Sequence, residues 1–199
     1  RIMDELPEVG VITTKSVGPV PRTGKREPVY SEYAPGCFVN AVGLTNPGAE
    51  EARRGFESLS IPEDRFLLVS IFGGSVEEFV AVAKMLEPVA DGFELNLSCP
   101  HASGYGMAMG QDPSIVGEIV AAVKQAVSKP VIPKLTPNVA HIAEIGQAAL
   151  DAGADGLDPP HPMGRARIAR VGSRSCQQSS GSLRVSAREV LIAVQARAS

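Results

Sequence analysis

The stretch Arg65–Pro100, RFLLVSIFGGSVEEFVAVAKMLEPVADGFELNLSCP, decides the fold. Its first eight residues, RFLLVSIF (65–72), form a continuously apolar run, as expected of a strand covered on both faces. After Gly-Gly-Ser, residues Val76, Phe79, Val80, Ala83 and Leu86 recur at helical spacing, which predicts a helix over 75–86. Phe93–Ser98 then alternates: Phe93, Leu95 and Leu97 share one face, and Glu94, Asn96 and Ser98 the other. Strand, helix and strand in about 35 residues make a βαβ unit, which requires a parallel sheet.

The same rhythm continues on both sides. Gly10–Lys15 (GVITTK) reads as an earlier strand. Asp112 reads as an N-cap with Pro113 at the first helical position, opening a helix that runs to about Val127. Val131–Leu135 is the next strand, Val139–Ala152 the next helix, and Gly153–Leu157 begins another strand. The period of roughly 30–35 residues fits a doubly wound sheet or a (β/α)8 barrel equally. Neither GxGxxG after the first strand nor GxxxxGK[ST] is present, which weakens the nucleotide-binding doubly wound reading.

Composition narrows the class. The 199 residues are 44% hydrophobic and 21% charged, the profile of a globular protein with one sizeable core. No run of about 18 apolar residues suggests a membrane span, and Arg1–Pro7 (RIMDELP) does not read as a signal peptide. The net charge of −3 argues against nucleic-acid binding by bulk charge. Cys37, Cys99 and Cys176 form neither a CxxC pair nor an even disulfide framework, which favours a reducing, cytoplasmic compartment. His101, His141 and His161 lack ligand spacing with those cysteines, so no metal site is expected. Charge is unevenly divided: residues 1–157 hold 12 Lys and Arg against 20 Asp and Glu, whereas 158–199 hold seven Arg, no Lys and two acids. SRSCQQSSGS (173–182) has no apolar period, so 158–199 is expected to be an atypical, disordered tail beyond the folded unit 1–157.

Chemistry is expected where the strands end. In a barrel the polar face of FELNLS points to the axis, and Cys99 lies at the C-terminal end, where barrel enzymes place catalytic groups. Lys15 closes one strand and Lys134 another, so both stand at one rim. Two lysines buried there imply either an anionic, electron-rich ligand or pairing with a carboxylate such as Glu94. Taken singly, Asn96 reads equally as a satisfied internal amide and Cys99 as a small buried hydrophobe.

Four stretches, TTKSV (13–17), NAVGLTNPG (40–48), ELNLSCP (94–100) and KLTPN (134–138), give the sequence a family resemblance. In order and spacing it resembles the dihydroorotate dehydrogenases, FMN-dependent barrels of pyrimidine synthesis, and the cysteine in ELNLSCP is similar to the soluble class 1 enzymes. The resemblance implies a partial (β/α)8 barrel whose flavin site lies at the C-terminal ends of the strands. It implies Cys99 as catalytic base, Lys15, Asn40, Gly43, Leu44 and Asn96 as substrate contacts, and Lys15, Ser16, Asn96 and Lys134 as FMN contacts. The implied partners are a pyrimidine substrate and either a second copy or, in a heterotetramer, a subunit carrying FAD and an iron–sulfur cluster. Fumarate and NAD both remain open as acceptors.

The chemistry suits these residue types. Oxidising a dihydropyrimidine removes a proton from C5 and a hydride from C6. A thiolate takes the proton when nearby donors or cations bring its pKa below about 8.5. A lysine ammonium stabilises the charge of a reduced flavin, and asparagine suits an imide edge with alternating donors and acceptors. The loop 101–111, HASGYGMAMGQ, reads as a lid over the substrate.

The sequence departs from the family in places. His101 and GMAMGQDP (106–113) are also similar to the dihydropyrimidine dehydrogenases, which leaves uracil or thymine reduction as an alternative. RTGKREP (22–28) differs from the Asn-Pro pair common in the family. The chain begins inside what resembles the first barrel helix, and about five of eight strands are represented. After GADGL (153–157) the family's Asn-Thr pair and two glycine-rich phosphate loops do not follow, and from about residue 158 the text reads as frame-shifted. Little activity is therefore expected of this chain alone. A non-catalytic fragment serving as a binding or assembly module is the competing expectation.

Overall fold

A computed structural model describes residues 9–98, 109–136 and 139–158. Four parallel strands form one sheet: β1 (Val11–Thr13), β4 (Phe66–Ile71), β5 (Gly92–Asn96) and β6 (Val131–Lys134), in the order β1-β4-β5-β6. Between β1 and β4 the chain makes an antiparallel hairpin, β2 (Tyr30–Ala34) and β3 (Cys37–Asn40), and then helix α1 (Ala49–Glu57). Helices α2 (Val76–Leu86), α3 (Pro113–Ala126) and α4 (Ile142–Asp151) follow β4, β5 and β6. Asp158 extends the sheet by a parallel bridge to Lys134, the described end of the strand expected to begin at Gly153–Leu157. The α/β class with a parallel sheet is as the sequence indicates.

Burial explains the alternation read from the sequence. Leu67, Val69 and Ile71 of β4, and Phe93, Leu95 and Leu97 on and after β5, belong to one apolar core with Phe79, Val82, Ala83 and Leu86 of α2. The same core takes in Val116, Ile119, Val120 and Val123 of α3. The other face of the sheet begins with a small apolar cluster, Leu68 and Ile132, and becomes polar toward the strands' C-terminal ends with Ser70, Glu94 and Asn96. Each fully buried large aliphatic or aromatic side chain stabilises the fold by about 1.5–3 kcal/mol, so the helix-facing layer holds the sheet together.

The helix starts follow local chemistry. Ser75 caps α2 by accepting from the Glu78 N–H (3.3 Å), while Glu78 reaches back to the Gly74 N–H (2.7 Å). Asp112 caps α3 through the Ser114 N–H (2.8 Å), with Pro113 where its missing N–H costs nothing. Helix α4 starts three residues later than its spacing suggests. Val139 packs on the core from outside the helix, which mimics helical periodicity without the hydrogen bonds.

The hairpin and α1 have no counterpart in the sequence reading. Strand β2 is exposed along nearly its whole length, so no inside–outside alternation marks it. Helix α1, AEEARRGFE, buries only Ala49 and Ala52, and its surface is laced with pairs such as Arg53–Glu57 (2.9 Å).

At the exit from β1, Gly18 lies flat against the Phe72 ring: a β-carbon there would stand 2.4 Å from Cζ. Both residues are fully or nearly fully buried. Gly18→Ala is expected to cost about 1–3 kcal/mol by overpacking. Urea denaturation checks this, and Phe72→Leu in the same chain should restore part of the loss.

Candidate active site

Because β1, β4, β5 and β6 run parallel, their C-terminal ends share one rim, and the residues just past or within those ends face each other. Register places Ser70 beside Glu94 and Asn96 beside Lys134, with all four on the face away from the helices. Glu94 is 4% exposed and Ser70 1%. The Lys134 ammonium meets Glu94 Oε1 at 2.6 Å, and the Ser70 hydroxyl donates to the same oxygen at 2.7 Å. Ser70 Oγ lies 2.8 Å from Ser16 Oγ, and Asn96 Nδ2 donates to Ser16 at 2.8 Å. Asn96 Oδ1 accepts from the Ser98 N–H (3.2 Å) and hydroxyl (3.0 Å). One polar network therefore joins four chain segments.

Asp158 closes its far side. Burial, a hydrogen bond to Glu94 and the like charge of Glu94 push the Asp158 carboxyl up from 3.8 to about 7, against the pull of Lys134.

The loop carrying NAVGLTNPG is fastened to this rim by Asn46, which is buried. Its Oδ1 accepts from the N–H groups of Gly18 (3.1 Å) and Gly48 (2.8 Å), and its Nδ2 donates to the Leu44 carbonyl (2.8 Å). Gly43 and Leu44 both take positive φ, 78° and 56°. At Gly43 a β-carbon would come within 3.0 Å of the Lys25 backbone nitrogen, so only glycine fits. Leu44 has no such freedom and holds a conformation costing on the order of 1 kcal/mol, the kind of strain that collects at ligand-binding loops.

Of the residues singled out in the sequence, Ser16, Asn96 and Lys134 are brought together in one network. Lys15 adjoins Ser16 at the same rim but is exposed. Gly43 and Leu44 are tied to the β1 exit through Asn46, and Asn40 ends β3 opposite Tyr30. Cys99 lies outside the described residues, directly after Ser98; so do His101, most of the loop 101–111 and the tail from 159 onward.

Of the two readings of the rim lysines, pairing with Glu94 holds for Lys134, and the burial expected of Lys15 is corrected. Lys134 already has its carboxylate, and Lys15 lies in solvent where an ammonium needs no partner. Ser70, Asn46 and Asp158 escaped the sequence reading. A lone serine inside RFLLVSIF and an Asn-Pro-Gly turn were signals for the first two. Nothing in the sequence near Asp158 gave one. Among the described residues, no group of three or more His, Cys, Asp or Glu could hold a metal.

A profile of the family described as dihydroorotate dehydrogenase matches residues 3–160. The chain belongs to the dihydroorotate dehydrogenase family. Over 150 residues, 74% of this chain and 48% of the relative, it is 53% identical to "Dihydroorotate dehydrogenase B (NAD(+)), catalytic subunit" of Pyrococcus horikoshii. The proteins of the same name from Thermococcus kodakarensis and Methanocaldococcus jannaschii are 48% and 47% identical over 165 and 151 residues. Those alignments cover 78% and 74% of this chain and 54% and 49% of the relatives. The chain thus spans about half the length of the dihydroorotate dehydrogenases it matches.

The Asp158 carboxyl gives a pH test. With its folded pKa raised, the fold favours the protonated form, and its contribution to stability is complete below about pH 4 and lost as pH rises through about 7. Asp158→Asn removes that dependence. Urea denaturation should therefore show the variant gaining on the parent at about pH 8 relative to about pH 5.

Proposed function

We propose that this chain is part of an FMN-dependent (β/α)8 barrel that oxidises dihydroorotate to orotate in de novo pyrimidine biosynthesis. The observation that carries the reading is the convergence of Ser16, Asn96 and Lys134 at the C-terminal rim of a parallel sheet, within motifs in the family's order. In this reading the barrel portion is 1–157 together with Asp158, which is bridged to Lys134 in the same sheet.

The donor set fits a flavin. A half-buried ammonium and a carboxamide N–H at one rim match the carbonyl and nitrogen edge of an isoalloxazine, which is rich in acceptors, and the Ser16 hydroxyl beside them keeps a lone pair for a ring N–H. Lys15, Ser16, Asn96 and Lys134 would hold it. FMN, when bound, supplies a hydride acceptor for C6 of the dihydropyrimidine.

The remaining roles belong to the chain itself. Cys99, which follows Ser98 in the sequence, takes the C5 proton as thiolate. Asn40, Gly43, Leu44 and Asn96 bind the pyrimidine, with Lys15 reaching it from the open side of the rim. The loop tied down by Asn46 sets the distance between the substrate-binding backbone and the sheet. Lys134, fixed by Glu94, would face the flavin edge as a preorganised hydrogen-bond donor.

The names of the relatives, catalytic subunit and NAD(+), support a partner subunit and NAD as acceptor, and the family resemblance adds FAD and an iron–sulfur cluster on that subunit. Homodimer formation belongs to the same reading. No helix among the described residues is long and apolar enough to cross a membrane. Action in the cytoplasm belongs to the proposal.

The test is a chain extended to the length of its relatives, supplied with FMN and a dye acceptor. It should oxidise dihydroorotate in preference to dihydrouracil, and Cys99→Ala should lower kcat by about 10²–10⁴ while flavin content stays constant. A Cys99→Ala protein as active as its parent overturns the assignment of the base. Preference for dihydrouracil moves the protein to pyrimidine-base reduction.

A further inference from the structure

Glu94 takes no part in the proton or hydride steps above, yet it is among the most buried charged side chains of the described sheet. Counting protons along its network fixes the direction of every hydrogen bond. The Ser70 hydroxyl has one proton, and it is committed to Glu94 Oε1 (2.7 Å). In the 2.8 Å contact between Ser70 and Ser16, Ser16 must then be the donor. With its own proton spent, Ser16 can only accept from Asn96 Nδ2 (2.8 Å). The Asn96 oxygen is fully used by the two donors of Ser98. Asn96 is left with one free N–H and no free acceptor. Lys134, held by the same Glu94 oxygen, is likewise a pure donor.

We propose that Glu94 is a positioning residue that orients two rim groups at once: the Lys134 ammonium directly, and the Asn96 carboxamide through Ser70 and Ser16. The rim then offers only donors at these two positions, so the ligand atoms that face them must be acceptors, carbonyl oxygens or ring nitrogens bearing a lone pair. A neutral or missing group at position 94 leaves the two hydroxyls free to reverse, and Asn96 Nδ2 then loses its settled acceptor at Ser16 while the Ser98 N–H still holds the amide oxygen. The consequence for flavin and pyrimidine rests on the function proposed above; the linkage among the side chains does not.

The experiment therefore uses the full 199-residue chain without flavin. Side-chain amide exchange of Asn96 is followed by NMR, and acetylation of individual lysines by acetic anhydride is followed by mass spectrometry. Ser70→Ala cuts the relay and spares the ion pair. It should speed exchange of the Asn96 amide proton by roughly tenfold, with Lys134 acetylation changed by less than about twofold, and Ser70→Thr should restore slow exchange. Glu94→Gln should speed both Asn96 exchange and Lys134 acetylation, with Lys84 and Lys124 unchanged. The proposal is overturned if Ser70→Ala leaves Asn96 exchange at the parent rate. It is also overturned if Lys134 acetylation rises only together with that of Lys84 and Lys124. The Ser70→Ala result decides the relay even where Glu94→Gln unfolds, and a chain that cannot oxidise dihydroorotate leaves these readouts intact.

Discussion

A carboxylate in the middle of a parallel strand, with 4% of its surface exposed, must be compensated where it stands, because an unpaired buried charge costs several kcal/mol. Glu94 meets that demand with an ammonium from the next strand, a hydroxyl from the strand before, and the carboxyl of Asp158 beyond. The arrangement of the rim follows from this requirement. Lys134 cannot swing into solvent without leaving Glu94 short of its counter-ion, and Ser70 cannot turn its proton elsewhere. The same constraint passes along the hydroxyls to Asn96. A buried polar network of this kind adds little net stability, but it leaves few alternative arrangements of the groups it includes.

The scaffold makes the network possible by dividing labour between the two faces of the sheet. The helix-facing layer, from Leu67 and Phe93 to Val116 and Ile119, supplies the apolar burial that holds the strands in register. That frees the opposite face to carry Ser70, Glu94 and Asn96, which would be costly among purely apolar neighbours. Parallel pairing then aligns the strand ends, so side chains from separate βα units arrive at one rim. The hairpin and α1 lie between the first two strands of the sheet and bring the Gly43–Leu44 turn back to the rim, where Asn46 fastens it to Gly18.

The division also explains which parts of the protein were legible before any coordinates. Alternation in FELNLS marked the two faces because one face is apolar core and the other is not. Asp112-Pro113 marked a helix start because capping is a local interaction between residues two apart. The hairpin Tyr30–Asn40 and helix α1 were not legible. The hairpin turns at Gly36, and α1 gives the core only Ala49 and Ala52 from a surface otherwise of charged pairs, so neither imposes a clear apolar period on the sequence.

At the site, sequence by itself determined the cast: a lysine after β1, an asparagine on β5, a lysine closing β6, and the strand ends they occupy. It also raised Glu94 as a partner for a rim lysine. Only the tertiary structure decided that Lys134 takes that partner while Lys15 stays in solvent, and that Ser16 and Asn96, 80 residues apart, share a hydrogen bond. The physical reason is range. Faces, caps and periods are written within a few residues, whereas the partner of a buried polar group is set by strand order and register, which bring distant segments within 3 Å of each other.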